Sequence, residues 1–112
     1  MAKQRRNDEG LARFGEPGLL NLISLSNGPK HGYAMTIDIK EQTGISLGPG
    51  TLYGSIVKLV ERGMIEALPS DDRRRPYQIT NAGRDALAAQ VAAWSKVVQV
   101  ARLRLGTAGA PA

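Results

Sequence analysis

Cysteine is absent from this chain, and His31 is its one histidine. The first absence excludes disulfides and thiolate metal sites. The second excludes a zinc site built from several histidines of one chain. Aromatic residues are scarce at 4% of the chain, so each of them is a position to be explained. No apolar run approaches the roughly 18 residues of a membrane span. Basic residues near the N-terminus (Lys3, Arg5, Arg6) are not followed by an apolar segment, so that stretch does not read as a secretory signal. The phosphate-cradling pattern G-x-x-x-x-G-K-[ST] is missing, and no catalytic constellation can be assembled. These absences predict a soluble, cytoplasmic protein that is not an enzyme and carries no cofactor or metal.

What is present is positive charge. The formal net charge is +5 over 112 residues. That balance fits a polyanionic partner. The length fits one domain, whose core would be marginal alone and enlarged by dimerisation.

Along the chain, Met1 to Gly10 is polar and mixed in charge, and reads as a disordered basic tail. Glu16-Pro17 opens a helix, since proline is tolerated in the first turn. Leu19, Leu20, Leu22, Ile23 and Leu25 make it apolar on most faces, and Asn27-Gly28-Pro29 stops it. The segment His31 to Thr43 is ambiguous by period. Tyr33, Met35, Ile37 and Ile39 alternate as in a strand, yet they also pair at i, i+4. Its length and the glycine stop at Gly44 favour helix.

After the loop Gly48-Pro49-Gly50, Leu52, Ile56, Leu59 and Val60 fall at i, i+4, i+7, i+8, which predicts one buried face. Thr51, Ser55, Lys58 and Arg62 fall on a second, polar face. This helix ends at Gly63 and runs into a strand, Met64-Ile65-Glu66. A charged turn follows (Asp71-Asp72-Arg73-Arg74-Arg75), then a second strand, Pro76-Tyr77-Gln78-Ile79-Thr80. Helix, strand, basic turn and strand make the layout of a winged helix, in which the helix enters the DNA major groove and the turn reaches the flanking backbone. Thr51 and Ser55 are suited to donate to bases or phosphates, and Lys58 to reach a phosphate or a guanine. Gly54 leaves room for close backbone approach. Arginine forks at Arg73, Arg74 and Arg75 suit phosphate or a narrow minor groove. Tyr53 either buries its ring and directs its hydroxyl to a phosphate or is purely a core tyrosine. Lys30, His31 and Tyr33, at the start of the second helix, complete the candidate DNA contacts. For His31 a plain structural role stands beside hydrogen bonding to the backbone or a phosphate.

Asn81 to about Leu105 reads as one long helix with Thr80 as N-cap. Leu87, Val91, Trp94, Val98, Ala101 and Leu105 step by 4, 3, 4, 3, 4, a heptad seam suited to a homodimer interface. Trp94 allows two readings: dimer core, or one wall of a slot for a flat ligand near a two-fold axis. Gly106 to Ala112 is small and glycine-rich and reads as a disordered tail. The predicted fold is mainly α with a small β-hairpin. A winged helix-turn-helix spans 11–80 and a C-terminal dimerisation helix spans 81–105, between tails at 1–10 and 106–112.

Taken together, His31-Gly32-Tyr33, Pro49-Gly50-Thr51-Leu52-Tyr53, Leu59-Val60-Glu61-Arg62-Gly63-Met64-Ile65, Arg73-Arg74-Arg75-Pro76-Tyr77-Gln78-Ile79-Thr80 and Gly83-Arg84 resemble the PadR family of bacterial regulators. The resemblance covers Pro17 to about Leu105, and its single C-terminal helix looks like the small-chain branch. Trp94-Ser95-Lys96-Val97 is similar to the segment that in multidrug-responsive members stacks planar compounds at the dimer centre. The resemblance therefore implies a planar aromatic ligand, with Trp94, Val97, Val98 and Phe14 as the candidate ligand set. Two positions depart from the family pattern. Many members have proline or another larger residue in place of Gly54. Some drug-binding relatives have an acidic residue where this chain has Val98, so a cationic ligand is not singled out over a neutral or anionic one.

The function expected is a ligand-responsive transcriptional regulator: a repressor that binds an inverted-repeat operator as a homodimer and is released by a small aromatic compound. The alternative is a winged-helix module for protein or RNA contact with no operator of its own. The polar face of Thr51, Ser55 and Lys58 and the arginine wing separate the two, since a protein-binding module would more often carry acidic or apolar groups there.

Overall fold

The computed structural model describes residues 15–71 and 73–109. The expected N-terminal tail, Phe14 and the end of the C-terminal tail lie outside the described residues.

The first helix, α1 (Gly15–Leu25), carries Pro17 in its first turn. Leu20, Leu22 and Leu25 are buried on it, while Ile23 faces outward. Its last carbonyls need partners, because the final turn of a helix has none of its own. Lys30 supplies one from beyond the turn, where its ammonium donates to the Ser24 carbonyl and to Asn27 Oδ1. The Ser24 hydroxyl donates to Asp38 Oδ2 at 2.7 Å and so ties α1 to the next helix.

A two-residue strand, β1 (Lys30–His31), leads into α2 (Gly32–Thr43). The ambiguous period resolves as helix: Met35 and Ile39 are buried one turn apart, and Tyr33 and Ile37 are exposed one turn apart. Gly44 ends α2 in the left-handed region, φ 79°, with its N–H bonded to the Lys40 carbonyl at 2.9 Å. Helix α3 (Pro49–Glu61) starts with proline at the position where the missing N–H costs nothing. Leu52, Ile56 and Leu59 are buried as expected. Val60 is not part of that face, being 41% exposed.

At the end of α3, Gly63 takes φ 73° and the Met64 N–H returns to the Leu59 carbonyl at 2.9 Å. This left-handed stop lets the chain pass directly into β2 (Ile65–Ala67). β2 pairs antiparallel with β3 (Pro76–Ile79), which also pairs with β1 on its other side. The sheet therefore has three strands in the order β1-β3-β2, one more than the expected hairpin. Ile65 and Ile79 are directly opposed and both buried, so the sheet turns one face onto the helices. The core joins Leu22, Leu25, Met35, Leu52, Ile56, Leu59, Ile65 and Ile79, with Leu47, Met64, Tyr77 and Leu87 packed against it.

The last helix, α4 (Asn81–Gly109), is locked to the sheet at its start. Thr80 Oγ1 accepts from the Gly83 N–H at 3.0 Å as N-cap and donates to the Gly63 carbonyl at 2.6 Å. A side chain at Gly83 would place its Cβ 2.1 Å from the Met64 carbonyl oxygen, so only glycine allows this approach. The helix does not stop near Leu105 as expected but continues through Gly106 to Gly109. A glycine inside a helix costs only about 1 kcal/mol relative to alanine, and here it does not end the run. Every residue from Val91 to Leu105 is exposed.

Candidate nucleic-acid interface

β1–β3 pairing sets His31 opposite Pro76, at the root of the arginine turn. The loop between β2 and β3 is steadied by the Ser70 hydroxyl, which donates to the Arg74 carbonyl at 3.2 Å. The result is a groove of about 320 Å³ lined by His31, Gly32, Tyr33, Tyr53, Arg73, Arg74, Arg75 and Tyr77. Residues from β1, α2, α3, the wing and β3 thus converge. Six of them are among the DNA contacts expected from the sequence. Three arginines, always charged, and three tyrosines line the same groove, a combination suited to phosphate oxygens.

Gly32 and Tyr77 also line this groove, although neither is a candidate by sequence. Gly32 has a steric reason to be glycine. A Cβ there would sit 2.4 Å from the Tyr53 hydroxyl oxygen, so the Tyr53 phenol lies directly over the first turn of α2. Tyr53 is 46% exposed, so it is not a purely core tyrosine, and it lines the groove with its hydroxyl against Gly32. Tyr77 reaches both core and groove from the strand that carries Ile79. His31 turns its Nδ1 inward, where it is buried without a hydrogen-bond partner among the described residues.

Thr51 and Lys58 are exposed on α3, outside this groove. Two expected contacts are placed elsewhere. Ser55 is only 7% exposed; its hydroxyl is buried and meets no partner among the described residues. It stands at the edge of the buried face of Leu52, Ile56 and Leu59, so the side it shares with Thr51 and Lys58 is turned partly inward and its hydroxyl is not presented with theirs. Lys30 does not line the groove, because its ammonium is held on the end of α1. The strip of α3 that points most directly away from the core is Gly50, Gly54, Val57 and Glu61, all exposed. Neither α2 nor α3 has a side-chain cap at its N-terminus, where His31 and Gly48 stand.

The expected seam on α4 divides in two. Leu87 packs partly against the core, and Val91, Trp94, Val98, Ala101 and Leu105 are exposed. Val97, from the expected ligand set, is exposed beside them. Among the described residues no group of acidic, histidine or cysteine side chains is placed to hold a metal ion, and no helix is long and apolar enough to cross a membrane.

Helices α1 to α3, a three-stranded antiparallel sheet and a basic turn beside the third helix define a winged helix-turn-helix protein. The family model described as "Transcriptional regulator PadR-like family" matches residues 19–89. The chain belongs to that family, whose members are DNA-binding transcriptional regulators and not enzymes. Its fold is similar to a PadR family transcription regulator from Clostridium difficile, with TM-score 0.75 and 24% identity over 82% of this chain and 100% of that one. RosR of H. salinarum is also similar, with TM-score 0.65 and 28% identity over 86% of this chain and 90% of that one. A 75-residue stretch, 67% of this chain, is 39% identical to an uncharacterized 37.1 kDa protein in transposon TN4556 of Streptomyces fradiae. The chain spans 22% of the length of that relative.

Proposed function

We propose that this regulator is a homodimeric repressor that reads an inverted repeat, one α3 per half-site, and is released by a planar aromatic compound. The observation that carries the reading is the exposed apolar seam on α4, rooted by Thr80 and Gly83 in the same head that bears the basic groove. A second copy packed on Val91, Trp94, Val98, Ala101 and Leu105 would bury that seam and relate two heads by a two-fold axis. Two-fold proteins match two-fold sites, with the half-site spacing set by the distance between recognition helices.

Signal input follows from the same helix. Trp94 is 41% exposed, with Val97 and Val98 next to it. Two such rings across an axis would stack on a flat compound. A ligand that favours one tilt of α4 over another changes the head spacing and with it operator affinity, since only differential affinity shifts such an equilibrium. Thr51 and Lys58 would contact DNA from α3, while Arg73, Arg74, Arg75 and the tyrosines of the groove hold phosphates.

The test is binding to the DNA upstream of the protein's own gene, with Trp94 fluorescence recorded in parallel. Saturable quenching by a planar dye or phenol should coincide with loss of operator binding. Trp94→Ala should remove the ligand response and leave DNA binding in place. Equal affinity for random DNA and an inverted repeat would remove the repressor reading. A ligand response unchanged in Trp94→Ala would leave Trp94 as interface core alone.

A further inference from the structure

The outward strip of α3 carries no polar side chain before Glu61. Leu52, Ser55, Ile56 and Leu59 define the inward direction. On the opposite side Gly50, Gly54, Val57 and Glu61 follow one another at i, i+4, i+7, i+11, the spacing of a single helix face. At Gly50 and Gly54 an added Cβ would meet nothing within 4 Å, so both stand against open space. The helix surface there is bare backbone until Val57, whose isopropyl group is 55% exposed. Thr51 and Lys58 flank the strip on one side and Tyr53 on the other. Glu61 closes it one turn later, and a carboxylate there is repelled by phosphates. The part of α3 suited to close approach is therefore its first two to three turns, from Gly50 to Lys58.

An exposed valine has no hydrogen bond to offer a base edge. In the major groove the apolar group displayed by the bases is the 5-methyl of thymine. We propose that Val57 is a specificity-determining residue that packs against a thymine methyl in each half-site, while Gly50 and Gly54 let the α3 backbone come close enough for that contact. The inference rests on α3 being the helix that reads DNA. It adds which base is read and by which side chain. Hydroxyl and ammonium groups at Thr51 and Lys58 then serve neighbouring bases or phosphates, and the methyl contact supplies the discrimination between thymine and the other bases at that position.

The probe is a duplex enriched from a random-sequence pool by the intact protein. Each thymine in it is replaced singly by deoxyuracil, which removes the methyl and keeps the base pair. The expected result is one position per half-site where the replacement weakens binding about fourfold, the worth of one buried methyl group. Val57→Ala should bind the thymine duplex more weakly by a similar factor and be indifferent to uracil at that position, with unchanged circular dichroism. The proposal is overturned if every thymine can be replaced without loss, or if Val57→Ala keeps the full uracil penalty. If the pool yields no enriched sequence, the sequence-specific reading fails and the valine contact with it. An enriched sequence without a valine-dependent methyl effect removes the valine contact alone.

Discussion

The winged head and the distal part of α4 handle apolar side chains in opposite ways. In the head, Leu20, Leu22, Leu25, Met35, Ile39, Leu52, Ile56, Leu59, Ile65 and Ile79 are buried by residues of the same chain. On α4, Val91, Trp94, Val97, Val98, Val100, Leu103 and Leu105 are exposed. Eight of those ten buried residues lie on helices, as all the exposed ones do, so local propensity does not separate them. The difference is that the head folds three helices over one sheet face, whereas beyond Gln90 the long helix stays exposed on all sides as far as Leu105. Burial of a packed face supplies most of a helix's stability in water. The molecule therefore divides into a part that completes its own core and a part whose apolar side chains are left exposed, the surface on which the proposed homodimer would form.

The most severe way to break this contrast is to put charge on the seam. In the proposed homodimer, Val91→Asp would bury a carboxylate between two helices with nothing to pair it. Sedimentation should show monomer or aggregate for the variant and a dimer at micromolar concentration for the unmodified chain. A stable, folded monomer of the unmodified chain would mean that α4 needs no partner.

The joint between the two regions is the next target. Gly83→Ala drives a methyl group into the Met64 carbonyl, a backbone group that cannot swing away. Overpacking of this kind costs on the order of 1–3 kcal/mol, read as a lower urea midpoint. A change below the error of the measurement would show that α4 can shift on the head without cost.

Replacing Arg73, Arg74 and Arg75 by alanine acts on the groove and spares the core. Affinity should fall on all DNA sequences alike. The slope of log affinity against log salt should become shallower by about 0.9 for each phosphate that is no longer neutralised. An unchanged slope would mean that the wing holds no phosphate.

The smallest effect is expected at Ser55. Its buried hydroxyl has no partner among the described residues, so Ser55→Ala should leave stability within about 1 kcal/mol or raise it, because an unsatisfied polar group is deleted. DNA affinity should stay the same. A marked loss of binding with retained fold would place Ser55 back on the DNA face.

Much of the head is legible in the sequence because its signals are local. The stop glycines Gly44 and Gly63 and the Thr80 cap each act within one helical turn, whereas Pro49 and Gly50, expected in a loop, form the first turn of α3. The position of the wing and the apolar seam of α4 also follow from spacing alone. Periodicity identifies which residues share a face, but not which way that face points. Thr51, Ser55 and Lys58 do lie on one side of α3; packing rotates that side so that Ser55 falls inward and Val57 comes to the centre of the exposed strip. A two-residue strand has no period to read, which is why β1 leaves no mark in the sequence pattern. Yet its pairing with β3 is what draws His31 to the wing and closes the groove. The sequence by itself determined the helices, the glycine stops of α2 and α3 and the charge of the turn, since these depend on neighbours along the chain. Only the tertiary structure decided that Gly32 must be bare for Tyr53, that Tyr77 joins the groove and that Lys30 turns back to α1, because those contacts join residues from separate elements.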